Sequence, residues 1–227
     1  MPHSRFLARD ARFVWALSAL QLISWGSVFY SFALFMEPLE QALGMSRAES
    51  SLGFSLMLLA EGVLAFPVGR WIDRGHERAV MTGGSLLVAL AFVLHSHIST
   101  VLAFYAVWTL LGVGLAGTLY PPAFAVLTRR FPQHFRRAII ILTFLGGLAS
   151  TVFIPLVAWL IAVLGWRDAL CVLAAMHLLV CVRPCIGGCC VMHRNALCWH
   201  PRTPTAPRCG TSCANLSFGC WPRLWCC

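Results

Sequence analysis

Residues 13–36, 79–128 and 138–166 contain no Asp, Glu, Lys or Arg, and between Glu49 and Arg70 the single charge is Glu61. A helix needs about 20 apolar residues to cross the hydrocarbon core of a bilayer. Residues 13–36 and 50–69 each supply one such span. The run 79–128 is too long for one helix and divides at His95-Ser96-His97-Ile98-Ser99-Thr100 into two. Residues 138–164 make a fifth span. After the turn-like Gly165-Trp166-Arg167-Asp168, residues 169–183 begin a sixth that looks cut short. These runs are continuous rather than alternating in polarity, so they read as helices and not as barrel strands. The expected fold is all-α and polytopic, with six transmembrane helices.

Composition excludes the main alternatives. Of 227 residues, 59% are hydrophobic and 11% charged, where a soluble domain carries about 25% charged residues. With a mean hydropathy of +0.77, a soluble enzyme and a disordered chain are both ruled out. The net charge of +9 comes from 17 basic residues, all Arg, against 8 acidic ones. Their placement argues against a nucleic-acid surface. Arg5, Arg9 and Arg12 precede the first span; Arg70, Arg74 and Arg78 lie between the second and third; Arg129, Arg130, Arg136 and Arg137 lie between the fourth and fifth. On the other side stand only Arg47 and Arg167. This bias puts the N-terminus and those loops in the cytoplasm, in a cell-membrane protein. The first apolar run is too long for a signal-peptide core and reads as an anchor. Residues 1–12 are then a cytoplasmic segment and 13–183 the membrane domain.

The chain changes character near its end. Nine of its 11 cysteines lie at or after Cys185, together with five prolines, five arginines after residue 182 and no acidic residue. Residues 184–227 are not expected to form a folded domain. Cys185, Cys189, Cys190, His193, Cys198 and His200 could in principle ligate zinc, but no Cys-x2-Cys pair is present. A disulfide framework is at odds with a reducing cytoplasm. The Arg, Pro, Gly, Cys and Trp composition fits best an out-of-frame reading of GC-rich coding sequence. No metal or cofactor is expected.

Gly69-Arg70-Trp71-Ile72-Asp73-Arg74-Gly75-His76-Glu77-Arg78 joins the second and third spans. It resembles the cytoplasmic loop signature of the major facilitator superfamily, Gly-x-x-x-Asp-Arg-x-Gly-basic-basic. Gly69, Asp73, Arg74 and Arg78 are in register; Gly75 stands one place early and His76 fills its slot. Phe32-Ala33-Leu34-Phe35-Met36-Glu37-Pro38-Leu39, Gly112-Val113-Gly114, Tyr120-Pro121-Pro122-Ala123-Phe124 and Arg129-Arg130-Phe131-Pro132 are similar to the monocarboxylate and oxalate–formate branch. The resemblance covers about residues 12–182. It implies half of a twelve-helix fold, built as two three-helix inverted repeats. The implied function is secondary transport of a small solute, an organic anion such as a monocarboxylate, by alternating access. It also implies that a C-terminal half is required and that this chain is inactive alone. A drug or metabolite efflux carrier of the same superfamily and a non-transporting membrane interaction protein are the alternatives.

Within that resemblance Gly69, Asp73, Arg74 and Arg78 form the gating loop. Gln21, Ser24, Ser27, Tyr30, Trp108, Tyr120 and Thr143 are the substrate-cavity candidates, polar or aromatic groups inside spans 1, 4 and 5. The competing reading is that Ser and Thr simply bond their own helix carbonyls. Trp108 also occupies the slot, four residues before Gly112, where drug–proton antiporters of the superfamily usually place an Arg, which disfavours that mechanism. Glu61 is a carboxylate in mid-span, costly in hydrocarbon, and is a candidate for proton coupling or for a buried helix–helix hydrogen bond. No nucleophile–base set or phosphate-cradling loop suggests an enzyme.

Overall fold

The computed structural model describes residues 8–131 and 135–182, and every regular element among them is helical. Six rods follow one another. The first comprises α1 (Ala8–Ser24), a π-helical stretch Trp25–Tyr30 and α2 (Ser31–Leu43). The second is α3 (Arg47–Asp73), the third α4 (Glu77–Ser96). The fourth is α5 (Val101–Ala116) with α6 (Tyr120–Arg130), and the fifth α7 (Phe135–Gly147) with α8 (Ala149–Leu164). The sixth begins with α9 (Trp166–Met176) and runs into a π-helical stretch His177–Val182. Five stretches are long and apolar enough to cross a membrane: Phe13–Leu43, Arg47–Asp73, Glu77–Ser96, Val101–Arg129 and Phe135–Leu164. The sixth rod starts at Trp166, three residues before the expected 169, so Trp166-Arg167-Asp168 form its first turn and not a loop; the Cys-rich segment 184–227 lies outside the described residues.

Local chemistry sets the ends. Ser46 and Glu49 form a capping box at the start of α3: the Glu49 backbone N–H donates to Ser46 Oγ (3.3 Å) and the Ser46 N–H to the Glu49 carboxylate (2.8 Å). Thr100 caps α5 by accepting from the Ala103 N–H. This cap stands at the predicted division of the run 79–128. Proline in the first turn of α6 breaks the fourth rod at Gly117–Leu119.

Packing reveals the repeat. α1 lies against α7, α3 against α5, and α4 against α9. Exchanging rods 1–3 with rods 4–6 turns the 1–5 pair into the 4–2 pair and leaves the 3–6 pair unchanged. After three crossings the second triplet starts on the opposite side, so the repeats are inverted. Rods 1 and 4 are each interrupted past their midpoints, one by the π stretch and one by the break before Tyr120. Tyr30 and Tyr120 both sit at these interruptions, mid-rod, rather than at rod ends.

Two glycine seams hold rods 2 and 3 against rod 4. A Cβ on Gly112 would collide with the Met57 carbonyl oxygen of α3. On the other side a Cβ on Gly84 would lie 2.7 Å from the Gly114 oxygen, and one on Gly114 3.0 Å from the Gly84 oxygen. Small residues let backbones approach where lipid supplies no hydrophobic drive between helices. The buried core, including Leu20, Met57, Phe104, Leu111, Leu115, Leu142 and Phe153, lies between the rods. Leu59, Val63, Phe66, Ile140, Phe144, Trp159 and Val163 on rods 2 and 5 remain exposed.

Candidate functional site

The loop between the second and third rods is only Arg74-Gly75-His76, between the end of α3 and the start of α4. The His76 N–H donates to the Trp71 oxygen (3.1 Å) and the Gly75 N–H to the Ile72 oxygen (2.9 Å), the paired bonds of a Schellman ending. Gly75 has φ +87°, a conformation that strains any residue with a Cβ. The glycine therefore stands at 75 because the left-handed position falls there, and His76, with a negative φ, needs none. Arg129 at the end of rod 4 reaches this loop. Its guanidinium donates to the Ile72 and Asp73 backbone oxygens and pairs with Glu77 at 3.8 Å. Asp73 and Arg74 are exposed, and neither side chain has a hydrogen-bond or ion-pair partner among the described residues. The loop is thus tied to rod 4 by Arg129 and Glu77. Neither was singled out in the sequence, although Arg129 belongs to the Arg129-Arg130-Phe131-Pro132 motif.

Deeper in the membrane domain, aromatic rings link rods 1, 2 and 4. Phe124 stacks on Tyr120 (5.3 Å between centroids), and Tyr120 lies 5.2 Å from Trp25. Trp25 stacks on Phe29 at 4.4 Å, Phe29 meets the edge of Phe54, and Phe54 stacks on Phe32 at 4.6 Å. All six rings are half-buried. The buried Trp25 indole nitrogen has no partner among the described residues. Rod 1 contributes Trp25, Phe29 and Phe32 by the i, i+4, i+7 spacing of one helix face, a signal present in the sequence. Glu61 follows Phe54 by two helical turns and so shares its face of α3; it is half-buried with no hydrogen bond among the described residues.

The polar candidates divide. Tyr30, Tyr120 and Thr143 are half-buried, whereas Gln21, Ser24, Ser27 and Trp108 are buried. Gln21 Nε2 donates to the Thr118 carbonyl (2.7 Å), which the break in rod 4 leaves without its helical partner. Ser27 Oγ donates to the Ile23 oxygen (2.6 Å) and lies 2.7 Å from His177 Nε2. Its one proton being used, the hydroxyl accepts from Nε2–H, which fixes the His177 tautomer. Trp108 is enclosed by Phe32, Phe54, His95 and Phe104. Thr143 bonds its own helix at the Ile139 oxygen (2.9 Å). The Tyr120 hydroxyl rests on Gly146 of rod 5, where any Cβ would collide with it.

Known proteins place this architecture. The family model of the Major Facilitator Superfamily matches residues 14–204. The chain is 27% identical over 166 residues to the uncharacterized MFS-type transporter YcxA of Bacillus subtilis, covering 71% of this chain and 40% of that protein. It is 32% identical over 165 residues to monocarboxylate transporter 13 of Rattus norvegicus, covering 70% and 36%. With the oxalate:formate antiporter of Oxalobacter formigenes it shares 27% over 153 residues, covering 67% and 36%. It thus spans well under half the length of these relatives. The crystal structure of tetrameric PepTSo2 superposes with a TM-score of 0.67 at 17% identity, over 87% of this chain and 45% of that one. At that identity the match speaks for the fold alone.

Proposed function

Because the chain belongs to the Major Facilitator Superfamily, a family of membrane transporters rather than enzymes, we propose that it forms the N-terminal half of a secondary transporter for a small organic anion. A monocarboxylate is the favoured solute. The observation that carries this reading is the half-buried aromatic wall of Trp25, Phe29, Phe32, Phe54 and Tyr120 across rods 1, 2 and 4, with an indole N–H left undonated. Such a wall suits the apolar body of a small carboxylate, and the free N–H and the tyrosine hydroxyls suit its oxygens. The named activities of the monocarboxylate transporter and oxalate:formate antiporter relatives support the same class.

No Arg or Lys occurs in residues 13–36, 79–128 or 138–166. In this reading a charge opposing the anion comes from a second half, packed on the apolar faces of rods 2 and 5. Alternating access is then the rocking of two halves about the wall. Glu61, two helical turns from Phe54 on the same face of α3, is the proposed proton-coupling group. Asp73, Arg74, Arg78 and Gly69 form the proposed gate on the cytoplasmic side of the cell membrane, where the N-terminus also lies. Uptake of labelled lactate, formate and oxalate into liposomes tests the proposal. The chain alone is expected to give none, and the chain co-reconstituted with a matching C-terminal half is expected to restore it for at least one. Failure of every monocarboxylate with a correctly assembled pair would overturn the substrate class.

A further inference from the structure

Between rods 2 and 3, with rod 4 as its floor, a cleft of about 510 Å³ opens above the Arg74-Gly75-His76 loop. Leu64, Val68 and Trp71 of α3 form one wall, Leu87 of α4 the other, and Val113 of α5 the floor. Gly83 widens it: a Cβ there would meet nothing within 4 Å. Water has no polar partners along these walls and would not occupy them. Left empty, the lining would forfeit its dispersion contacts. At the mouth stand Arg74, with no partner among the described residues, and His76. Of the two acidic residues nearby, Glu77 is engaged by Arg129, and Asp73 is outnumbered by Arg70, Arg74 and Arg78 within residues 70–78.

We propose that this cleft holds one acyl chain of an anionic phospholipid, with the phosphate bound by Arg74 and His76 at the membrane surface. The occupant follows from the apolar walls joined to a basic mouth. A basic recess between membrane helices is complementary to an anionic headgroup, and an Arg at the surface contributes about 1 kcal/mol of attraction. Trp71 at the mouth sits where an indole settles among headgroups. That the lipid belongs to the inner leaflet rests on the orientation proposed above; the binding itself does not.

Native mass spectrometry of the purified full chain, titrated with phosphatidylglycerol or phosphatidylcholine, tests this without reference to transport. One phosphatidylglycerol is expected to be retained, with a preference of about fivefold over phosphatidylcholine. Gly83→Leu, whose side chain would fill the cleft, is expected to lose the bound lipid. Arg74→Gln, at an exposed position neutral to folding, is expected to keep a lipid but lose the headgroup preference, and it carries the test if the leucine variant does not fold. Equal retention of both lipids by the unaltered chain would overturn the proposal, as would unchanged binding by a folded Gly83→Leu. A photoreactive group at Leu87 should cross-link to lipid. Cross-linking to residues 183–227 or to a second copy would assign the cleft to that occupant instead.

Discussion

Gln21 shows how a polar residue in an apolar run can be necessary without touching solute. Its amide caps the Thr118 carbonyl at the break in rod 4, so removing it leaves a buried acceptor unpaired. Gln21→Leu should lower stability by about 1–2 kcal/mol, read as a drop in thermal midpoint in detergent; an unchanged midpoint would count against the role. Glu61 makes the opposite prediction. With no hydrogen bond among the described residues, its replacement should leave folding intact. In a chain paired with its C-terminal half, Glu61→Gln is expected to abolish proton-driven uptake while sparing solute exchange. Uptake that follows the proton gradient as before would remove the coupling role. The sequence shows that Gln21, Ser27 and Trp108 are unusual in a membrane span. Their partners, Thr118, His177 and the Phe32 and Phe54 rings, lie far along the chain, so what each residue does depends on rod pairing that periodicity alone does not encode.

The helices themselves were far more legible. Charge-free length located five spans and the start of the sixth, because the cost of charge in hydrocarbon acts on each segment locally. Capping chemistry explains why α3 begins as early as Arg47. The interruption of rod 1 was not anticipated, since Trp25–Tyr30 contains no proline; it coincides with the close packing of Phe153 of rod 5 on Gly26. The glycine seams give a matched pair of tests. Gly112→Ala forces α3 and α5 apart and should cost about 1–3 kcal/mol. Gly62→Ala, on the same α3 but with nothing within 4 Å of its Cβ, should be neutral or stabilising by up to about 1 kcal/mol through helix propensity. Equal melting shifts for the two would mean that rods 2 and 4 are not held this closely. At the Arg74-Gly75-His76 loop, Arg129→Gln should release the Ile72 and Asp73 carbonyls and raise the rate of proteolysis between α3 and α4.

For the whole molecule, the ten arginines on one side, three, three and four by segment, against two on the other yield a topology test. Trypsin added outside intact spheroplasts should spare Arg74 and cut near it only after permeabilisation. Cleavage from outside would invert the proposed orientation and, with it, the leaflet of the bound lipid. The exposed apolar faces of rods 2 and 5 are larger than a lone soluble domain tolerates; lipid and, in the proposed transporter, a second half cover them.

Stiffness is unevenly shared among the rods. α3 runs as one helix over 27 residues, although Pro67 within it donates no backbone bond, and is held with α4 to rod 4 through glycine contacts. The backbone ladder shifts to a π-helical pattern in rod 1 at Trp25–Tyr30, and its α-helical run is interrupted in rod 4 at Gly117–Leu119 and in rod 5 at Leu148. Flexing at the interruptions in rods 4 and 5 costs fewer backbone bonds than bending an unbroken helix, so bending of the domain is expected there. The interruption in rod 4 adjoins Tyr120, and a solute wedged between Tyr120 and Trp25 would press directly on it.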